Sequence, residues 1–148
     1  MVEISNLIWP ATLEIPSKRF RLLVVGDTSQ LSVRAISDLA AAALERGMVY
    51  CCCWGEGCER FHDIVDEVIV ADDLGPRKFS GSKPDDVIVT TWHEDEPLEE
   101  ALYYFAQLAI PTGGFHSGSE FHLVLCLNNP EWAEQSKKYL QSLDASFA

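Results

Sequence analysis

The chain has 148 residues, of which 47% are hydrophobic and 23% are charged, with a net charge of −12 and five cysteines. This length suffices for one domain that needs neither disulfides nor metal ions to hold its core together. Its apolar runs are far shorter than the ~20 residues of a membrane span, and no export signal opens the chain. We therefore expect a cytoplasmic protein that does not enter a membrane. The odd number of cysteines, three of them consecutive, predicts free thiols.

The negative charge is concentrated in the second part of the chain. Residues 1–60 have 6 basic and 7 acidic side chains, a balance of −1, whereas residues 61–148 have 5 and 16, a balance of −11. Because phosphate backbones are repelled by such a surface, the charge argues against general nucleic-acid binding. A basic protein partner would be attracted, although acidity also serves solubility alone.

The first part of the chain predicts an arm followed by a strand, a helix and a second strand. Residues 1–20 contain prolines and no sustained period, so we expect an extended arm packed across the domain. Arg21–Val25 is a short apolar run typical of a buried strand, and Ser29 is placed to cap a helix that ends at Gly47. Met48–Trp54 is predicted as the second strand.

A second helix is predicted after Trp54, with Cys58, Phe61, His62 and Val65 on one side. Glu67–Ala71 is predicted as a short third strand and Asp86–Thr91 as the fourth. The aperiodic stretch between them, which includes Pro76, is long enough to serve as a lid or a long crossover.

A third helix is predicted to begin at Pro97, with acidic residues favourably placed in its first turn. Its expected buried stripe consists of Leu98, Ala101, Leu102, Phe105, Leu108 and Ala109. After a glycine-rich loop, His122–Leu127 is the predicted fifth strand, and Asn129 caps a last helix that runs to about Leu143.

This alternation predicts a single α/β domain over residues 1–148, a three-layer α/β/α fold with a Rossmann-like open parallel sheet of five strands. We favour the order 3-2-1-4-5, in which the long connection after the third strand carries the chain back across the sheet. The alternative is the flavodoxin-like order 2-1-3-4-5.

Ligands of such sheets bind at the carboxyl ends of the strands, where the winding reverses. In the favoured order Asp27 would face Thr91 and His93 across a crevice. Candidate catalytic residues are therefore Asp27, His93, Glu94 and Asp95, and candidate binding residues are Trp54, Glu56, Thr91, Trp92, His93 and Asn129. The plain alternative is that such polar residues only cap helices and satisfy loop backbone.

No cofactor is expected, because the chain has neither a dinucleotide-binding glycine fingerprint nor a phosphate loop. The set Cys53, Cys58, His62 and His93 is a conceivable zinc site, although cysteines in a buried strand are more often core residues. Cys58 and His62 at helical spacing are also a conceivable nucleophile and base.

Two strings, over Trp54–Glu67 and Thr90–Leu102, resemble those of a family of small uncharacterised bacterial proteins, a domain of unknown function. The second string begins with the motif TTWHEDE, and the similarity covers roughly residues 20–130. The resemblance implies a bacterial cytosolic protein and brings no activity with it.

Two functions remain open. The first is a non-enzymatic protein-interaction module that presents the edge Trp92–Asp95 and the acidic helix beside it to a basic or amide-rich partner protein. The second is a small hydrolase or transferase that uses Asp27, His93, Glu94 and Asp95, with or without a metal ion, on a phosphate-containing or other small ligand.

Overall fold

A computed structural model describes residues 1–75, 78–79, 81 and 83–147. It confirms an α/β fold in which helices cover both faces of an open sheet of five parallel strands. The strands are β1 (Val2–Ile4), β2 (Phe20–Val25), β3 (Met48–Trp54), β4 (Val89–His93) and β5 (Phe121–Leu127). The helices are α1 (Val33–Glu45), α2 (Cys58–Leu74), α3 (Leu98–Tyr103, continued by a π-helical turn, Tyr104–Leu108) and α4 (Pro130–Phe147), with a 3-10 turn at Gly113–Phe115.

The strand order is β1-β5-β2-β3-β4, so both orders considered from the sequence are wrong. The chain advances from β2 to β3 to β4 without reversing, and it crosses back only between β4 and β5. The reversal in winding therefore lies between β2 and β5. As a consequence β4 is an edge strand, separated from β2 by β3.

The predicted third strand, Glu67–Ala71, is part of α2. The β-branched run from Val68 to Val70 has the composition of a strand, but the buried side chains of α2 recur at helical spacing: Cys58, Phe61, Ile64, Val65 and Ile69. Packing of this stripe outweighs the local β-propensity. Pro76, in the predicted connection, lies outside the described residues.

The amino-terminal arm supplies the strand that the sheet gains in place of Glu67–Ala71. Val2–Ile4 pairs in parallel with Leu125–Leu127 of β5 and forms the other edge. Further along the arm the Trp9 ring is buried against Phe20, at a centroid distance of 5.9 Å. The arm is therefore partly a strand and partly a core element.

Strand β4 begins at Val89 and ends at His93, later on both counts than predicted. Residues before it form turns, in which Asp86 N donates to Lys83 O. In the helix after it the π-helical turn replaces one hydrogen bond by a wider one, from Ala109 N to Tyr104 O. This shift leaves Ala109 buried and turns Leu108 outward, with 54% of its surface exposed.

The two faces of the sheet carry separate cores. Side chains of β2 and β3 alternate between a core under α1 and α2 and a smaller core under α3 and α4. All five cysteines are free, as predicted, and buried. No helix among the described residues is both long and apolar enough to cross a bilayer. Ser32, rather than the predicted Ser29, caps α1, since its side chain accepts from Ala35 N.

Candidate functional site

All five strands point their carboxyl ends to one edge of the sheet, and the turns that follow β2 and β3 are pressed together there. Gly26 N donates to Trp54 O over 3.0 Å, and Thr28 N donates to Glu56 O over 2.9 Å. At Gly55, φ is +120° and an added Cβ would lie 2.1 Å from the carbonyl oxygen of Gly26. A side chain has no room at this position, so glycine fixes the distance between the two turns.

His93, the last residue of β4, is held by hydrogen bonds at both ring nitrogens. Its Nδ1 lies 2.5 Å from Oε1 of Glu96, and its Nε2 lies 3.0 Å from Oγ1 of Thr91. A carboxylate only accepts, so Nδ1 of His93 donates to Glu96. The Thr91 hydroxyl also donates to Cys52 Sγ over 3.2 Å, so Thr91 links the ring of His93 to β3. The ring also packs on Tyr104, at a centroid distance of 4.7 Å, and only 9% of the residue is exposed.

Glu96 is fixed through its backbone by the indole of Trp54, whose Nε1 donates to the Glu96 carbonyl over 2.8 Å. The Trp54 ring meets the edge of the Trp132 ring at a centroid distance of 5.1 Å and an interplanar angle of 87°. Trp132 stands in the first turn of α4, where its backbone N–H donates to the capping side chain of Asn129. Three elements that are distant in the chain thus meet at one point.

A cavity of about 310 Å³ opens between these elements. Its lining is made of Trp54, Gly55, Glu56, Gly57, His93, Glu94, Asp95, Glu96 and Trp132, and we call it the acidic tryptophan pocket. The lining contains four carboxylates and two indoles and no lysine or arginine among the described residues. Asp95 has a φ of +57°, the left-handed turn by which the chain leaves β4. Such a pocket suits a cation and repels an anion.

The pocket unites some of the predicted site residues and leaves others apart. Thr91 does not line the pocket but forms a hydrogen bond with His93, which does. The predicted site residues that line the pocket are Trp54, Glu56, His93, Glu94 and Asp95. The predicted crevice between Asp27 and His93 is wrong, because β3 lies between their strands.

Asp27 and Asn129 stabilise the turns at their own strand ends. Asp27 Oδ1 accepts from the backbone and the hydroxyl of Ser29, at 2.9 Å and 2.6 Å, and these bonds lower the pKa of the Asp27 carboxyl. Asn129 caps α4. Both follow the plain alternative considered from the sequence.

Trp92 faces the opposite side of the sheet from the pocket. Its ring packs on His62 of α2 at a centroid distance of 4.5 Å, and 43% of the residue is exposed. The two candidate binding residues Trp54 and Trp92 therefore do not share one surface, because Trp92 is in register with Cys53 and successive residues of a strand point to opposite faces.

The sulfur-based hypotheses find little support. Among the described residues no three or more His, Cys, Asp or Glu side chains are grouped to hold a metal ion, so Cys53, Cys58, His62 and His93 do not form a zinc site. Burial raises the pKa of both the Cys53 and the Cys58 thiols, whereas a nucleophile needs a lowered one.

Three residues that build the site were missed from the sequence: Glu96, Tyr104 and Trp132. Glu96 follows His93 by three residues and ends the motif TTWHEDE, but it was not among the candidate site residues. An available signal for Trp132 was its position three residues after the capping Asn129, which places an aromatic ring at the same edge as Trp54.

A family model described as Domain of unknown function (DUF7684) matches residues 5–144, and the chain belongs to that family. This confirms the resemblance to a domain of unknown function, and the description names no activity. Neither a curated protein nor a solved structure matches the chain.

Proposed function

We propose that this member of the DUF7684 family is a non-enzymatic protein-interaction module that binds a basic partner protein by taking a lysine or arginine side chain into the acidic tryptophan pocket. One observation carries the proposal: four carboxylates and two perpendicular indoles line a single cavity. The carboxylates attract the cationic group of a lysine or arginine side chain. The indoles contact both that group and the apolar part of the same side chain.

The magnitudes set the affinity to expect. A cation over an indole contributes about 0.5–2 kcal/mol, depending on how dry the site is. Glu56, Glu94 and Asp95 are exposed, so each ion pair adds only about 0.2–1 kcal/mol. Together these contributions reach at most about 5 kcal/mol, and a Kd on the order of 1 mM corresponds to about 4 kcal/mol, so a single captured side chain binds no more tightly than the millimolar range. Tight binding requires further contacts with the partner.

His93 supports binding better than catalysis. Both of its ring nitrogens have partners within the chain, and the ring is buried between Tyr104 and the pocket wall. A general base must reach the proton of a bound substrate, whereas Nε2 of His93 faces Thr91 and only 9% of the residue is exposed. We therefore assign His93 a positioning role, in which it holds Glu96 and the start of α3.

One observation favours the rival function, a small hydrolase or transferase. A histidine paired with a carboxylate lines a cavity, which is the arrangement of a general base and its orienting acid. The two functions separate in a hydrolysis assay with p-nitrophenyl phosphate and p-nitrophenyl acetate. The interaction module predicts no turnover above that of an inactive control protein. Turnover that His93→Gln abolishes without unfolding the chain would establish the enzyme instead.

The test of the proposal is calorimetric titration with a cationic probe and its neutral isostere. N-acetyl-arginine amide is expected to bind with a millimolar Kd and N-acetyl-citrulline amide at least tenfold more weakly. Glu94→Gln should weaken the arginine probe about two- to fivefold, since it removes one exposed ion pair. Glu45→Gln, an equal change of charge at the exposed end of α1, serves as the matched control and should leave the affinity unchanged.

Equal affinities for the two probes would contradict the proposal, as would equal effects of Glu94→Gln and Glu45→Gln. A rise in ionic strength from about 0.05 M to about 0.5 M should weaken binding, because it screens the exposed carboxylates.

A further inference from the structure

The outer edge of β4 has no further strand beside it in the described part of the chain, unlike the strands inside the sheet. β2 is buried throughout and β3 nearly so, whereas Val89, Thr90 and Thr91 of β4 are partly exposed and Trp92 is exposed. Among the described residues only β3 pairs with β4. Alternate N–H and C=O groups of an edge strand point away from its sheet, which makes the edge a template for another strand.

The strand lacks the features that usually protect an edge. Val89–His93 contains neither lysine nor proline, and its pairing with β3 runs without a bulge from Tyr50–Val89 to Trp54–His93. Threonine, valine and tryptophan are residues that favour strands. The other edge strand, β1, has only three residues.

The surface that borders this edge is both apolar and acidic. Val87 and Val70 are exposed, at 50% and 46%, beside a cavity of about 330 Å³ that is lined in part by Asp66, Asp86 and Lys83. At the far end of the strand the exposed Trp92 packs its ring on His62 and adds a second, aromatic patch. An extended segment on β4 would therefore meet apolar surface near both of its ends.

The charges at the two ends of β4 decide what kind of segment fits. Asp85 and Asp86 are separated from the start of the strand by two residues, Asp85 exposed and Asp86 also accepting from Gly114 N, and Glu94 and Asp95 directly follow the strand. A second copy of the chain is a poor occupant, because antiparallel pairing brings the acidic ends of the two copies together and parallel pairing sets identical carboxylates side by side. A strand with basic residues at both ends is complementary.

We infer that β4 is a docking strand, which a partner protein extends by adding a segment with a β-prone centre of about five residues and a lysine or arginine at each end. This inference rests on the proposed function and names the conformation of the partner. Glu94 and Asp95 both follow β4 and line the acidic tryptophan pocket, so the basic end that passes His93 reaches the pocket. The backbone supplies affinity and the pocket supplies selection for charge.

The test uses the peptide acetyl-KRTVTVTRK-amide and amide hydrogen exchange of the full chain. At saturation, alternate amides within Val89–His93 should be protected at least tenfold more than in the free protein. The amides of β1, Val2–Ile4, form the internal control, since they belong to the opposite edge and should not change.

Two matched peptides separate strand addition from attraction of charge. N-methylation of one alternate set of central amides should abolish binding, and methylation of the other set should preserve most of it, because only one set faces β4.

Val87→Lys should weaken the affinity for the unmodified peptide at least tenfold, and Val87→Thr should change that affinity less than threefold. Unchanged protection at β4, protection at β1, or equal binding of both methylated peptides would overturn the inference, as would dimerisation through β4 in the absence of peptide.

The two proposals fail in different ways. If N-acetyl-arginine amide binds in the pocket while the peptide leaves the β4 amides unprotected, the docking strand is wrong and the pocket stands. If the peptide protects β4 while Glu94→Gln has no effect on either ligand, the pocket is wrong.

Discussion

Removal of the Glu96 carboxylate tests whether the pair with His93 holds the pocket together. In Glu96→Ala the Nδ1–H of His93 loses its acceptor at a position that is only 9% exposed, so water replaces the bond poorly. A hydrogen bond to a charged group contributes about 1.5–3 kcal/mol. Because the Glu96 side chain keeps 25% of its surface exposed, we take the lower part of this range, about 1.5–2 kcal/mol.

For a chain of this size each kcal/mol corresponds to about 3–4 °C in Tm, so Glu96→Ala should lower Tm by about 5–8 °C. Calorimetry and urea unfolding measure the change independently. Glu96→Gln keeps an acceptor for Nδ1–H and should recover more than half of the loss. Glu100→Ala, which removes an exposed carboxylate from the first turn of α3, is the matched control and should cost only about 0.3–1 kcal/mol. A loss below about 0.5 kcal/mol in Glu96→Ala would refute the role that we give to the pair.

Three further predictions concern the frame around the site. Gly55→Ala should destabilise the fold by more than about 2 kcal/mol, since its Cβ would lie 2.1 Å from Gly26 O, whereas Gly118→Ala, at φ +74° with open space around it, should cost only about 1–2 kcal/mol in a thermal melt. The five thiols should react with Ellman's reagent only at the rate of unfolding, because all are buried and burial raises the pKa of Cys52 to about 12; fast labelling of the native chain would contradict this. Burial lowers the pKa of His122, so the folded chain takes up a proton there less readily than the unfolded chain, and the unfolding free energy falls as the pH drops below the unfolded pKa of about 6.5. His122→Phe should flatten the decline of unfolding free energy between about pH 7 and 5. An unchanged decline would contradict this role of His122.

The sequence was sufficient for the fold class and for the edge that carries the site. Buried apolar runs that end in glycine, as at Gly26, alternate with helical stripes, and this alternation predicts parallel strands whose carboxyl ends share one edge. The order of the strands could not be predicted from the sequence. The run from Val68 to Val70 has strand composition, and only its register with the buried side chains of α2 shows that it is helical.

The site itself could be predicted only in part, for two physical reasons. Trp132 and Trp54 are far apart in sequence, and their contact depends on which strands are neighbours. The orientation of Trp92 depends on strand parity: because β4 extends to His93, Trp92 and His93 point to opposite faces. The predicted strand ended at Thr91, so Trp92 and His93 were expected in the loop after it. The alternation of side chains along a strand therefore gave no prediction of the faces to which they point.

The side-chain N–H signals of the four tryptophans test the central claim most directly, in a titration with N-acetyl-arginine amide followed by nuclear magnetic resonance. We predict that the signals of Trp54 and Trp132 shift together with one Kd, while those of the buried Trp9 and of Trp92 on the opposite face stay in place. The citrulline probe at the same concentration should move none of them. Unmoved Trp54 and Trp132 signals, or equal shifts with both probes, would contradict the claim that this pocket recognises a cation.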